Sequence, residues 1–162
     1  MKKLVLTIVA GLLSISLYAQ DNESFIQQVL DNNLADVKQQ GEWNQAYLYQ
    51  TGYGWNTYRN EAFVNQVGES NWVGLNQNGE GNRLDATQKG HDNHVGGVGS
   101  DYAYQSGYMN SIKVVQDGYD HVSASSQTGS NNYINLYQYD HDQYSTVIQF
   151  GTRNGANVSQ RN

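Results

Sequence analysis

Short runs of alternating side chains recur along most of the chain. Between Asn71 and Gln77, every second residue shares a face with the apolar side chains of Val73 and Leu75, and the residues between them face the other way. The same spacing by two recurs in other apolar pairs: Ala62 and Val64, Leu84 and Ala86, Ile112 and Val114, Ile134 and Leu136, and Ala156 and Val158. This period predicts strands of about seven residues, each with one buried face.

An internal repeat of eleven residues spaces these strands. A glutamine ends each predicted strand at steps of eleven, apart from two longer intervals: Gln39, Gln50, Gln66, Gln77, Gln88, Gln105, Gln116, Gln127, Gln138, Gln149 and Gln160. An asparagine stands six residues before most of these: Asn33, Asn44, Asn60, Asn71, Asn82, Asn110, Asn132 and Asn154. A glycine stands two residues after most of them: Gly41, Gly52, Gly68, Gly79, Gly90, Gly107, Gly118, Gly129 and Gly151. The unit is therefore Asn-x-h-x-h-x-Gln-x-Gly-x-x, where h is usually Ala, Val, Leu or Ile.

The residues after each glutamine predict a tight turn, because glycine readily adopts positive φ. Asp140 replaces the glycine in one unit, and aspartate tolerates that conformation better than most residues. A right-handed coiled coil also repeats every eleven residues. However, a glycine in nearly every unit would cost about 1 kcal/mol each in a helix, and residues spaced by two would not share a helix face. The repeat therefore predicts strands and turns.

Two such units make a coil of 22 residues, and successive coils stack in parallel about 4.8 Å apart. Alternate units then lie above one another, so that identical amides form columns that hydrogen-bond along the stack. The predicted fold is an all-β, amyloid-like, parallel two-sheet β-solenoid of about eleven strands. Its final unit is a regular repeat without a cap, and the open strand edges favour addition of further strands.

The chain divides into three segments. Repeats occupy residues 33–162, with insertions at 51–59 and 96–101 where the glutamine step lengthens to 16 and 17 residues. Residues 20–32 lack the pattern and predict a mobile leader. Residues 1–19 carry two lysines, an apolar run and a small residue at the end, which is the layout of a secretory signal peptide. The run is short for a membrane span, and we expect no span in the mature chain.

Composition and charge exclude several functions. The balance of 9 Lys+Arg against 15 Asp+Glu argues against a nucleic-acid partner, and the absence of cysteine excludes disulfides and thiolate metal sites. Neither a nucleophile elbow nor a phosphate loop is present, so we expect no catalytic activity and no cofactor. A chain rich in Asn, Gln, Gly, Ser and Tyr could be disordered, but disorder does not predict an eleven-residue phase.

Two acidic features are candidates for a role beyond folding. Gly96 to Asp101 matches the G-G-x-G-x-D core of calcium-binding repeats, but a single copy favours a flexible loop over an ion site. Asp92, Asp120 and Asp142 each follow a glutamine by four residues and predict a column of carboxylates. Because stacked carboxylates repel one another, we predict that these three residues are gatekeepers that slow assembly. A weak metal site and a merely solvated turn are the alternatives.

The sequence resembles the curlin family, the repeat subunits of the extracellular amyloid fibres called curli. The shared features are the Gln-x-Gly-x-x-Asn turn and the period-two strand ending in Gln, in tandem units of about 22 residues behind a signal peptide. Clean copies of the turn begin at Gln66, Gln77 and Gln149. The chain departs from the pattern at His121 and Gln143 in place of Asn, at Asp140 in place of Gly, and at the inward-facing Ser123 and Ser125.

The resemblance implies a homopolymer that serves the biofilm matrix and adhesion. It also implies secretion of an unfolded chain through an outer-membrane channel with accessory factors, and growth at the cell surface from a nucleating curlin-like subunit. It does not separate the major from the nucleating subunit, although the regular final repeat favours the major type. The alternative is a monomeric secreted β-solenoid adhesin or carbohydrate-binding module that uses outward aromatic residues: Tyr47, Tyr49, Phe63, Trp72, Tyr104, Tyr133, Tyr137 and Tyr144.

Overall fold

A computed structural model describes residues 21–29, 33–52, 58–96 and 102–162. Within them lie thirteen strands: β1 (Glu23–Val29), β2 (Leu34–Glu42), β3 (Gln45–Thr51), β4 (Glu61–Glu69), β5 (Trp72–Glu80), β6 (Arg83–His91), β7 (His94–Gly96), β8 (Ala103–Tyr108), β9 (Ser111–Tyr119), β10 (Val122–Ser130), β11 (Tyr133–His141), β12 (Tyr144–Thr152) and β13 (Gly155–Arg161). The predicted signal peptide and residues 97–101 of the single G-G-x-G-x-D motif lie outside the described residues. Those residues contain no helix with the length and apolar character needed to span a membrane.

The strands form two parallel sheets, and the chain passes from one sheet to the other at nearly every turn. One sheet has the order β1-β3-β5-β7-β10-β12, with β8 also placed between β5 and β10, and the other has the order β13-β11-β9-β6-β4-β2. Each strand therefore lies beside the strand that follows two turns later in the chain. This topology confirms the predicted all-β, parallel two-sheet β-solenoid. From β2 onward it contains the eleven predicted units, with β7 and β8 forming the irregular one.

The register between coils is kept even where the chain is longer. Gln50 pairs with Gln77 and Gln77 with Gln105, at sequence separations of 27 and 28 residues, whereas regular coils are separated by 22. The added length therefore leaves the pairing of the described strands unchanged. Thr51 and Gly96, which the sequence analysis assigned to the insertions, are instead the last residues of β3 and β7.

The prediction of a mobile leader is wrong for Glu23–Val29, which forms β1 and pairs in parallel with β3. The repeat is hard to recognise in this segment. Ser24 stands at an inward position that is apolar in most other units, and residue 30 is leucine where the repeat has glycine. The framing amides are nevertheless in phase, since Asn22 and Gln28 stand eleven residues before Asn33 and Gln39. The amide spacing, more than the apolar pair, was the signal that could have found this strand.

A thin apolar layer fills the space between the sheets. Each regular strand contributes two inward side chains, and those of the middle coils are fully buried, as for Leu48, Leu75 and Ile134. In β10, these two positions are occupied by Ser123 and Ser125, which are equally buried. Burial thus follows the period of two that the sequence pattern predicted.

Each regular four-residue turn among the described residues contains two residues with positive φ. The first is the repeat glycine, with φ from 101° at Gly151 to 141° at Gly118, and Asp140 takes its place with φ 79°. The second lies immediately before the asparagine position and has a left-handed helical conformation, as in Asp92 with φ 57° and Arg153 with φ 58°. The two left-handed residues reverse the chain within the four residues that the repeat allows.

Candidate assembly site: the amide columns and the open edges

The strand-ending glutamines form two hydrogen-bonded columns, one along each sheet. In every step, the side-chain Nε2 of one glutamine donates to the Oε1 of the glutamine in the next coil toward the C-terminus, at 2.7–3.1 Å. One column contains Gln28, Gln50, Gln77, Gln105, Gln127 and Gln149, and the other contains Gln39, Gln66, Gln88, Gln116, Gln138 and Gln160. All the donors point the same way, so each column has a direction.

The same glutamine side chains also fix the corners between the two sheets. Gln88 shows the arrangement: its Nε2 donates to the backbone oxygen of Trp72 at 3.0 Å and of Asn93 at 2.8 Å, in addition to Gln116 Oε1 at 2.9 Å. These amides are fully buried in the middle coils. A buried amide must be paired, because an unpaired one loses its hydrogen bonds to water without replacement.

The asparagines that begin the strands form two further columns with the opposite direction. Asn110 Oδ1 accepts hydrogen bonds from the backbone N–H of Asn132 at 3.2 Å and from its Nδ2 at 3.1 Å, and Asn132 Nδ2 also donates to the Gly151 carbonyl at 2.9 Å. One column consists of Asn33, Asn60, Asn82, Asn110, Asn132 and Asn154, and the other of Asn22, Asn44, Asn71 and Asn93. Asn22, Asn93 and Gln28 are column members that the sequence analysis missed. Asn93 was hidden because the insertion that follows displaces the next glutamine.

The second asparagine column is interrupted at its C-terminal end. His121 and Gln143 occupy the next two positions, and both are buried. The backbone N–H of His121 still donates to Asn93 Oδ1 at 3.3 Å, but neither ring nitrogen has a hydrogen-bond partner. Gln143 Oε1 accepts from the Tyr139 N–H at 3.1 Å, whereas its Nε2 is unpaired. These are the two positions where the sequence departs from asparagine.

The repeat glycines are required by space as well as by backbone conformation. A Cβ on Gly118 would lie 1.9 Å from the carbonyl oxygen of Asp140 in the next coil, and one on Gly129 would lie 1.9 Å from that of Gly151. Gly151 belongs to the last coil, and the nearest atom to a Cβ there is Asn154 Nδ2 at 3.6 Å. The steric restriction on a side chain at the repeat-glycine position is therefore imposed by the next coil in the stack. Gly52, also assigned to the glycine set, follows β3 without a positive φ.

Two strand pairs form the open edges of the solenoid: β1 with β2, and β12 with β13. At the first edge, Oε1 of Gln28 and of Gln39 accepts no hydrogen bond from any described residue. At the second edge, Gln149 and Gln160 donate to the backbone oxygens of Tyr133 and Tyr144 and retain one N–H each. Among the described residues, the glutamine columns thus begin with acceptors at the β1–β2 edge and end with donors at the β12–β13 edge.

The three predicted gatekeepers lie in one column on the surface. Asp92, Asp120 and Asp142 all occupy the second left-handed position of their turns, with φ of 57°, 59° and 53°, and are exposed. The backbone N–H of each donates to a carbonyl of the preceding coil at 3.1–3.2 Å. No cluster of three or more His, Cys, Asp or Glu suited to a metal ion occurs among the described residues. The gatekeeper role remains a prediction.

The predicted outward aromatics do lie on the outer faces, and several of them contact residues of the neighbouring coil. The indole of Trp72 stacks on the His94 ring with centroids 4.3 Å apart, and lies 6.4 Å from the Tyr47 ring. The ring of Tyr133 lies over Gly155 of the neighbouring strand. These contacts run from coil to coil and therefore stabilise the stack itself.

Parallel strands in stacked coils, identical amides in columns and open edges define a repetitive structural subunit of the β-solenoid class. The curlin associated repeat matches residues 31–54, 59–90 and 107–139, which together cover more than half of the chain. The chain therefore belongs to the curlin family, as the resemblance predicted, and curlins are secreted structural subunits of extracellular fibres. No curated protein and no solved structure matches the chain.

Proposed function

We propose that this protein is a secreted fibre subunit that assembles end to end into extracellular amyloid, with β12 and β13 of one copy docking on β1 and β2 of the next. The observation that carries this proposal is the single direction of the glutamine columns. Donors stand at one edge and acceptors at the other, so a second copy in the same orientation continues both columns. Two like edges would instead bring donor to donor or acceptor to acceptor.

The register of the strands supports the same joint. If Gln149 of one copy donates to Gln28 of the next, β12 lies beside β1 in the spacing that every other pair shows. Val147 then meets Ile26, and both are only partly buried in a single copy. Phe150, which is 72% exposed, meets Val29, which is 42% exposed. Docking would therefore bury apolar surface that the isolated chain leaves open to water.

The second sheet offers an equivalent joint. Donation from Gln160 to Gln39 places β13 beside β2 and brings the partly buried Val158 to the partly buried Val37. Both edges are regular strands with unpaired backbone groups, which favour the addition of another strand. A heterologous joint of this kind does not close on itself and produces an open filament.

Family membership supports the remaining parts of the proposal. They comprise export directed by residues 1–19 through an outer-membrane channel, growth from a nucleating subunit, and a role of the fibres in biofilm matrix and adhesion. The protein acts in them as a structural component and not as an enzyme. Its partners are other copies of itself and the secretion and nucleation factors.

The test is seeded growth of the chain that begins at residue 20, followed by thioflavin fluorescence and electron microscopy. We expect sheared fibres to abolish the lag phase of fresh protein and to elongate. Protein that stays a compact monomer in the presence of seeds would contradict the proposal and favour the adhesin alternative.

A matched pair of variants tests the donor at the joint. Gln160→Glu keeps the oxygen that accepts from Gln138 but replaces the donor with an acceptor, so elongation should slow by tenfold or more. Ser159→Glu adds the same charge to the neighbouring exposed position and should elongate close to the wild-type rate. Equal rates for the two variants would contradict the role of the glutamine column in the joint.

A further inference from the structure

Unpaired buried polar groups are concentrated in one part of the solenoid. Among the described residues, five buried side-chain atoms have no hydrogen-bond partner: both ring nitrogens of His121, the hydroxyls of Ser123 and Ser125, and Nε2 of Gln143. These residues belong to β10 and to the turns before β10 and β12. Each unpaired group loses its hydrogen bonds to water on burial. The coil that contains β10 thus lacks buried side-chain hydrogen bonds that the coils before it form.

His121 is the titratable member of this group. Its position belongs to the asparagine column, and Asn93 shows what an asparagine does there. Asn93 Nδ2 donates to Asn71 Oδ1 at 2.9 Å and to the Gly118 carbonyl at 3.0 Å. The imidazole of His121 is fully buried at the equivalent site, with neither ring nitrogen bonded. A neutral ring tolerates this site far better than an imidazolium does, because a buried charge without a partner is costly.

We propose that His121 makes the C-terminal coils acid-sensitive, so that protonation of its ring opposes the folded and assembled form. Burial lowers the pKa of His121 below its ordinary value of 6.5. Below pH 6.5, the ring of His121 is then protonated to a greater extent in the unfolded chain than in the folded chain. His121 therefore leaves the free energy of unfolding unchanged above pH 6.5 and lowers it as the pH drops toward the lowered pKa.

The groups around the ring reduce this sensitivity without reversing it. The ring of His121 faces the backbone carbonyl of Asp117 without forming a well-aligned hydrogen bond; this carbonyl and the carboxylates of Asp120 and Asp140 raise the pKa of His121, whereas His141 lowers it further. The acidic side chains lie at exposed turn positions, where water screens their charge. Burial is the largest effect, so the pKa of His121 stays below 6.5.

The experiment compares the wild type, His121→Asn and His141→Asn at pH 7.5 and 5.5. The readout is the guanidinium concentration at the midpoint of the loss of β-sheet circular dichroism. It is measured both by unfolding and by refolding. For the wild type, we expect the folding equilibrium constant to fall by up to about tenfold at pH 5.5. His121→Asn restores the amide column and should be more stable at both pH values and lack this decrease. His141→Asn changes an exposed histidine and should retain it.

Two results would overturn the inference. One is an equal pH response in the wild type and in His121→Asn, and the other is loss of the response in His141→Asn. If His121→Asn does not fold, nitrogen-15 NMR of the histidine rings in the wild type decides, since a ring of His121 that titrates at or above pH 6.5 contradicts the proposal. The circular dichroism readout does not require growth from seeds. Failure of the proposed end-to-end assembly would therefore be seen separately.

Discussion

Gly151→Ala should convert the subunit into a terminator of fibre growth. In the interior of the stack, a Cβ on Gly129 would stand 1.9 Å from the Gly151 carbonyl oxygen, well inside any tolerable contact. A Cβ on Gly151 meets only Asn154 Nδ2 at 3.6 Å, which is ordinary van der Waals distance. Both glycines have positive φ, of 120° and 101°, so both alanine variants carry a comparable backbone strain of about 1–3 kcal/mol. Only the steric conflict distinguishes them within a single copy.

The magnitude follows from the bonds that the conflict breaks. To admit the methyl group of Gly129→Ala, two coils must separate by about 1 Å, given normal contact distances. This disrupts the hydrogen bond from Asn132 Nδ2 to the Gly151 carbonyl at 2.9 Å and that from the Arg153 N–H to the Ser130 carbonyl at 3.0 Å. Two lost bonds and the groups left unpaired cost about 2–4 kcal/mol beyond the strain. In a fibre that continues the stack, the chain that follows Val29 of the next copy lies beside Gly151, and we expect the methyl group of Gly151→Ala to oppose its approach.

Fluorescence microscopy of single wild-type fibres provides the assay. Labelled Gly151→Ala should add through its β1–β2 edge to the tip that exposes β12 and β13, and then block that tip when present at about one molecule per tip. The opposite tip should continue to grow in wild-type protein. Labelled Thr152→Ala is the control, since it changes the neighbouring exposed residue of β12 and adds no atom toward the next coil, so it should leave both tips active. Unchanged growth at both tips, or absence of labelled Gly151→Ala from every tip, would refute the continuous stack.

Three further outcomes are expected. Gln116→Ala should lower the guanidinium midpoint of the fibres by removing a fully buried amide with partners on both sides, at a cost of about 1–3 kcal/mol for each group left unpaired; a midpoint equal to that of the wild type would contradict the role of the column. Joint replacement of Asp92, Asp120 and Asp142 by Asn preserves the left-handed conformation and removes the charge, so the lag before fibre growth should shorten; an unchanged lag removes the gatekeeper hypothesis. Ser125→Ala eliminates an unpaired buried hydroxyl, so it should stabilise the fold by about 1 kcal/mol and raise the guanidinium midpoint; a lower midpoint would show that the hydroxyl is hydrogen-bonded in solution.

The sequence predicted the architecture because the repeat constrains strands, turns and columns together. The eleven-residue step of the glutamines identified the strand ends, and the insertions were recognised as departures from that step. β1 was missed for the converse reason: Ser24 removed the apolar signal although Asn22 and Gln28 kept the phase. In this fold, the framing amides predict a strand better than its apolar residues do.

Other features depend on three-dimensional spacing that a repeat does not reveal. The glycine was predicted from backbone conformation alone, whereas the 1.9 Å approach at Gly118 shows that the adjacent coil leaves no room for any Cβ. The direction of each amide column depends on whether the oxygen or the nitrogen of the side-chain amide faces the next coil. The residue type alone does not specify this orientation. Likewise, His121 was recognised as a departure from asparagine, but its loss of hydrogen bonds is visible only from the packing around the ring.

The second left-handed residue of each regular turn is a surface position where different side chains can be introduced. Trp43, Ser70, Asp92 and Arg153 all adopt this conformation, and all are exposed. Side chains of unlike size and charge are thus accepted at a position that the backbone geometry holds constant. Groups attached there would be displayed one per coil, about 4.8 Å apart, in a straight row along each margin of the molecule. Such a row is a ready-made scaffold for dense, evenly spaced presentation of a chosen dye, metal chelator or short peptide.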